Sequence, residues 1–301
     1  MENAIFVVIL VLMGFLLKRL GIFKRSDANL FIRIVFYIFL PATLFHSLIK
    51  LDLKFDLIIL PLSASFIALM CYGFAYLIKK FFSMDRREEG IFLIASGAMN
   101  QGLFSYPFFL IYLGTKGLSY VAFYDLGQAI LALTLGYYIA TKYGGRSKSY
   151  SEVLRNVLAF PPLIAFMLAI FVNLFGISKF LGAMIPFIEM LHNCTTPLIM
   201  LSLGIFLEFE NLSINLKPIF GVLFIRFVFS LGVALLLVNL LNLGYMEKIT
   251  ILIASSVPSA MLTLVYAVEE ELDVEFTTLL LSIGICIGLI YIPILFSILI
   301  D

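Results

Sequence analysis

Leu93-Ile94-Ala95-Ser96-Gly97-Ala98-Met99-Asn100-Gln101-Gly102-Leu103-Phe104-Ser105-Tyr106-Pro107 is an apolar run with amides, glycine and proline set into its middle. Glycine permits non-helical torsions, and proline removes a backbone donor and frees a carbonyl, so a helix through this run breaks there. A second apolar window carries Ser255-Ser256-Val257-Pro258-Ser259 near its centre and breaks for the same reason. Each window is long enough to cross a bilayer, which takes about 20 residues. Unwound backbone at that depth is tolerated only where it lines a cavity or is buried in protein, so the two breaks mark a working centre.

The rest of the chain supports this reading. Of 301 residues, 62% are hydrophobic and 13% charged, where a soluble domain carries roughly 25% charged residues. Lipid must cover the surplus. Apolar windows fall at 4–20, 28–49, 57–80, 89–113, 117–141, 156–176, 181–207, 218–240, 247–268 and 274–300. The expected fold class is an all-α membrane protein of about ten transmembrane helices, since alternating-polarity barrel strands are lacking. Lys18 and Arg19 follow the first window, so it reads as a retained helix and not as a signal peptide.

Several function classes are disfavoured. A net charge of +1 offers no basic face for nucleic acid. Cys71, Cys194 and Cys286 sit within apolar windows and read as packing residues. No G-x-x-x-x-G-K-[ST] loop is present to hold nucleotide phosphates, and no H-E-x-x-H to hold catalytic zinc. Asp125 lacks a recognisable aspartyl partner. The chain therefore does not read as an enzyme, and no cofactor is expected beyond H+ or Na+ as a coupling ion.

Connections carrying Lys18, Arg19, Lys24, Arg25, Lys79, Lys80, Arg86, Arg87, Lys142, Arg146, Lys148, Arg155 and Lys217 alternate with others carrying only Lys50, Lys54, Lys116, Lys179 and Lys248. The positive-inside rule then places both termini outside the cytoplasm in a multi-pass protein of the cell membrane. Residues 144–155 form the polar midpoint, dividing a first five-helix repeat, 1–143, from a second, 156–301. Five spans per half force the halves into opposite orientations, an inverted repeat. Leu93 to Ser96 recur as Leu252 to Ser255, and Glu88 pairs with Glu247 at the same spacing. Pro61, Pro161, Pro162, Pro186 and Pro293 read as kinks only.

Phe39-Leu40-Pro41-Ala42-Thr43-Leu44-Phe45, Asn100-Gln101-Gly102 followed by Pro107, Phe123-Tyr124-Asp125-Leu126-Gly127-Gln128, Thr195-Thr196-Pro197 with Ser202-Leu203-Gly204, and Ala254 to Pro258 follow one another along the chain. Together they resemble the auxin efflux carrier family. The resemblance implies a five-plus-five inverted repeat whose fourth and ninth helices cross at their breaks. It also implies movement of small organic anions, carboxylates such as malate, malonate or auxin-like acids. Ser105, where glycine is common in the family, and Gln128, where asparagine is frequent, depart from its pattern. The short midpoint connection also lacks the long loop of plant members, so plant-hormone transport is not implied.

The expected substrate-binding residues are Asn100, Gln101, Gly102, Pro107, Asn193, Thr196, Pro258 and Ser259. Ion-coupling candidates are Asp125, Gln128, Ser96, Ser255 and Ser256. Asp125 and Gln128 share a helix face, and serine hydroxyls with freed carbonyls supply oxygen ligands. Arg226 reads as a snorkelling or structurally paired cation, with direct contact to a substrate carboxylate as the alternative. Glu189, His192 and Asn193 form an i, i+3, i+4 cluster, His192 reads as a lone structural histidine, and His46 has no evident partner. Expected partners are a small organic anion and the bilayer, with a homodimer left open. The leading expectation is alternating access around a scaffold of helices 1, 2, 6 and 7. Alternatives are a sodium-coupled symporter resembling the bile-acid carrier family and an anion-binding membrane sensor.

Overall fold

The computed structural model describes residues 2–145, 159–177, 181–209 and 215–300. The chain is all-helical, and no strand occurs among the described residues. Most of the 144–155 connection, the start of the sixth window and Lys179 lie outside them.

Helix α1 is Glu2–Arg19, α2 is Arg25–Leu48 and α3 is Phe55–Phe81. The fourth window is split into α4a, Arg86–Gly97, and α4b, residues 101–113. Gly114, with φ 63° and ψ −161°, ends α4b at a conformation that glycine alone adopts easily, and α5 runs over 115–143. Then follow α6, Pro161–Leu174, α7, Ile185–Phe206, and α8, Leu216–Leu240. The ninth window divides into α9a, Tyr245–Ser255, and α9b, Leu262–Glu269, before α10, Val274–Ile300. Among the described residues five stretches are long and apolar enough to cross a membrane: Arg25–Leu48, Phe55–Phe81, Gln101–Tyr143, Leu216–Leu240 and Val274–Ile300, with Pro161–Leu174 a shorter apolar helix.

Two compact units take alternate pieces of the chain. The first contains residues 1–56, 102–122 and 150–207, and the second 57–101, 123–149 and 208–301. Each unit therefore draws on both halves of the sequence.

In the first unit α1 packs along α7, and α2 packs against α6 and α7. The α1–α7 contact is close because two glycines face backbone. A Cβ on Gly14 would stand 2.2 Å from the Leu201 carbonyl oxygen, and one on Gly204 would stand 2.0 Å from that of Val11. Small residues at such crossings let membrane helices approach where no hydrophobic drive favours association. Asn173 Nδ2 donates to the carbonyls of Leu48 at 2.7 Å and Leu51 at 2.8 Å, capping the C-terminus of α2.

In the second unit α3 lies against α4a, α8 and α9a, while α8 packs on α9a and α10 on both α9a and α9b. Gly127 of α5 meets the backbone of Pro61, where a Cβ would stand 1.9 Å from the carbonyl oxygen.

Among the described residues four helices contain a π turn, at Val35–Phe39, Gln101–Ser105, Ala132–Gly136 and Ile225–Phe229. A π turn disturbs the i→i−4 ladder and leaves a carbonyl wanting a donor. Within the first unit Thr195 Oγ1 donates to Phe39 O at 3.1 Å. Within the second, Tyr266 Oη donates to Ala132 O at 3.1 Å and Tyr291 Oη to Phe227 O at 2.9 Å. Three of the four distortions are thus each fixed by a hydroxyl from another helix.

Candidate functional site

In the second unit the two interruptions pair with each other. Past Gly97 the chain becomes extended, with Ala98 at φ −82° and ψ 123°. Past Ser255 the chain also leaves the helix, and Met99 and Ser259 form an antiparallel bridge. The Asn100 N–H donates to Pro258 O at 2.9 Å, and the Ala260 N–H donates to Ala98 O at 3.0 Å. Each break therefore supplies one backbone donor and one backbone acceptor to the other, where lipid offers no water.

Side chains complete the exchange. Ser259 Oγ donates to Ala95 O at 2.8 Å, in the last turn of α4a. Gln101 Nε2 donates to Ala254 O at 2.7 Å, in the last turn of α9a. Ala95 and Ala254 occupy equivalent places in the repeated Leu-Ile-Ala-Ser stretch. Each half-helix is thus capped by a polar side chain from beyond the opposite break.

Gln128 serves the same crossing from α5. Its Oε1 accepts from the Met99 N–H at 3.2 Å, and its Nε2 donates to Asp125 Oδ1 at 2.5 Å. Asp125, half-buried, is thereby joined to the crossing through one amide.

Arg226 is fully buried and does not snorkel. The π turn of α8 carries it, and its Nη2 donates to Ser255 O at 2.6 Å. Nε and Nη2 each donate to Val257 O at 3.1 Å, and Nη1 reaches Ser96 O at 3.4 Å and the Cys71 thiol at 3.9 Å. Its partners are carbonyls at the C-terminal ends of α4a and α9a, where helix dipoles favour positive charge, and no carboxylate is among them.

The serines expected to serve ion coupling are committed locally. Ser96 Oγ donates to Phe92 O at 2.7 Å, Ser255 Oγ to Leu252 O at 2.9 Å and Ser256 Oγ to Leu252 O at 3.0 Å. Other polar groups near the breaks have capacity to spare. Asn100 Nδ2 and Thr263 Oγ1 are buried without a hydrogen-bond partner, and Thr263 lies in the first turn of α9b. Gln101 Oε1 is likewise unpaired.

The first unit holds the remaining sequence-selected residues. Pro107 and Thr196 line a recess with Leu40, Thr43, Tyr106 and Thr195, too narrow to admit a water molecule. Thr43 and Thr195 hydroxyls hydrogen bond there at 2.6 Å. Gly102 approaches the side chains of Leu40 and Phe36. Asn193 is exposed on α7 and does not join the recess.

His192 is not alone and His46 does have a neighbour: the two imidazoles stack with ring centroids 4.8 Å apart. The helices carrying them, α2 and α7, pack together, a relation that spacing along one helix cannot reveal. Cys71 is buried as expected, whereas Cys194 is exposed on the apolar surface of α7. Thr263 is not among the residues expected to bind or couple, and Arg226 enters there only as an alternative reading. An arginine in an apolar window is a visible signal, but its carbonyl partners have no side-chain signature.

An all-helical, strongly apolar chain with interrupted helices meeting inside one unit defines a multi-pass membrane transporter. The family model for membrane transport proteins matches residues 1–296, and the chain belongs to that family, the auxin efflux carriers. An uncharacterized transporter of Methanocaldococcus jannaschii is 33% identical over 285 residues, covering 91% of each chain. An uncharacterized transporter of Methanothermobacter thermautotrophicus is 29% identical over 294 residues, covering 97% of this chain and 96% of its own.

Proposed function

We propose that this transporter is a secondary carrier of small organic anions, carboxylates above all, working by alternating access across the cytoplasmic membrane. In this reading ten crossings form a five-plus-five inverted repeat, with both termini outside. The reciprocal capping of Ala95 and Ala254 supports the repeat, because equivalent carbonyls receive equivalent help. The grouping of α1, α2, α6 and α7 in one compact unit, apart from the unit holding the crossing, fits the expected scaffold.

The observation that carries the substrate class is the buried, unpaired Asn100 Nδ2 on a crossing where the Met99, Asn100 and Ala260 N–H groups are all engaged. A free amide donor in a low-dielectric site is costly unless a ligand accepts from it. The unpaired Thr263 hydroxyl beside the N-terminal, positive end of α9b favours an acceptor with negative charge. A carboxylate can accept from either donor. Arg226 adds positive potential while its own donors are occupied, so it attracts the anion without gripping it.

Counterflow of labelled mono- and dicarboxylates in proteoliposomes tests this reading. The wild type is expected to exchange at least one of them, and Asn100→Ala to exchange it at least about tenfold more slowly with little change in melting temperature. Absence of carboxylate flux under every imposed voltage, pH and sodium gradient would remove the carrier reading. Saturable binding without flux would identify a sensor.

A further inference from the structure

We infer that Arg226 occupies the place of a coupling cation: the carbonyls released by both interrupted helices are committed to a guanidinium that belongs to the chain. Discontinuous membrane helices commonly expose C-terminal carbonyls that hold Na+ or mediate H+ coupling, since several oxygens converge where the helix dipole is negative. Here the same kind of carbonyls, Ser96 O, Ser255 O and Val257 O, converge on one side chain. A guanidinium is permanently charged and presents five N–H donors in a fixed fork, which suits several acceptors held at once.

Three further features favour a resident cation. Arg226 is wholly buried, and its partners are carbonyls and a thiol, so its charge is balanced by dipoles that would otherwise face a mobile ion. The hydroxyls of Ser96, Ser255 and Ser256 donate back into their own half-helices. The side chain is also held from behind. Its π turn is fixed by Tyr291 at Phe227 O, and Ser230 Oγ donates to the Arg226 carbonyl. The crossing therefore needs no Na+ for its assembly, and a sodium ion would meet a fixed positive charge at the oxygens it requires.

This inference rests on the geometry of the crossing and not on the identity of the transported anion. Its test reads melting temperature and needs no substrate, so it can fail while the carrier reading survives, and the reverse. Purified wild-type protein is melted in sodium, potassium, lithium or N-methylglucamine chloride at one concentration. Arg226→Ala is melted in the same salts, with and without added guanidinium chloride.

The wild type is expected to melt at one temperature in all four salts. Arg226→Ala is expected to melt lower in N-methylglucamine and to recover by about 5 °C with guanidinium or sodium, a gain the wild type does not show. Saturable stabilisation of the wild type by one small cation would overturn the inference. So would an Arg226→Ala protein that melts like the wild type and ignores every cation. If the alanine variant does not fold, Arg226→Lys retains the charge and is expected to be indifferent to sodium; stabilisation of that variant by sodium would also refute a resident cation.

Discussion

Replacing Gly14 with alanine tests the closest helix contact of the first unit. The added methyl would start 2.2 Å from the Leu201 carbonyl oxygen and 3.1 Å from the Ile205 nitrogen, both backbone atoms that cannot rotate aside. Reaching an ordinary contact near 3.4 Å requires α1 and α7 to part by about 1 Å. A gap of that size forfeits a quarter to a half of each dispersion contact it opens. Overpacking of this kind costs about 3 kcal/mol, and alanine's better helix propensity returns about 1 kcal/mol. The net loss of about 2 kcal/mol lowers the melting temperature by about 4 °C. Unfolding can be followed with a thiol-reactive dye, because Cys71 is buried and Cys286 partly so, while Cys194 reports the baseline. Gly73→Ala is the control: no atom lies within 4 Å of its added methyl, and it should melt at or slightly above the wild type. Gly14→Ala and Gly204→Ala together should cost less than the sum of the two, since one separation relieves both clashes. A Gly14→Ala protein as stable as the Gly73→Ala control would refute the close-packed crossing.

Substitutions at three other places probe hydrogen bonds that the fold sets in apolar surroundings. Gln128→Leu leaves the Met99 N–H without its acceptor and Asp125 without its amide donor, and should lower the melting temperature by several degrees; Gln128→Glu keeps that acceptor but sets a second carboxyl against Asp125 Oδ1, so it should not restore wild-type stability. Thr43→Val and Thr195→Val should show a coupling of about 1 kcal/mol in a double-mutant cycle read by thermal unfolding; additive effects would mean their hydroxyls act independently. Tyr266→Phe removes the donor to Ala132 O and should cost about 1 kcal/mol, with faster amide exchange confined to the Ala132–Gly136 turn.

Both interruptions were legible in the sequence because amides, glycine and proline stand out within apolar windows and act on the backbone locally. Helix limits were legible where charge or turn residues punctuate: the windows 57–80, 218–240 and 274–300 correspond to Phe55–Phe81, Leu216–Leu240 and Val274–Ile300. The π turns were not, since Val35–Phe39 and Ile225–Phe229 have the composition of any membrane helix. Nor was the stacking of His46 on His192, which depends on the packing of two distant helices. The setting of Arg226 was hidden for another reason. Backbone carbonyls are identical at every residue, so only the folded breaks show which ones it meets.

A cation that is part of the chain cannot be released on either side of the membrane, so Arg226 draws no work from an ion gradient. It does feel the membrane potential, which acts with about 2.3 kcal/mol per elementary charge per 100 mV. In a carrier of the kind proposed, a bound monovalent anion offsets the guanidinium charge, and the empty centre retains it. Voltage would then bear mainly on the return of the empty carrier, and an interior-negative potential would draw that centre toward the cytoplasm, ready to load an anion for export.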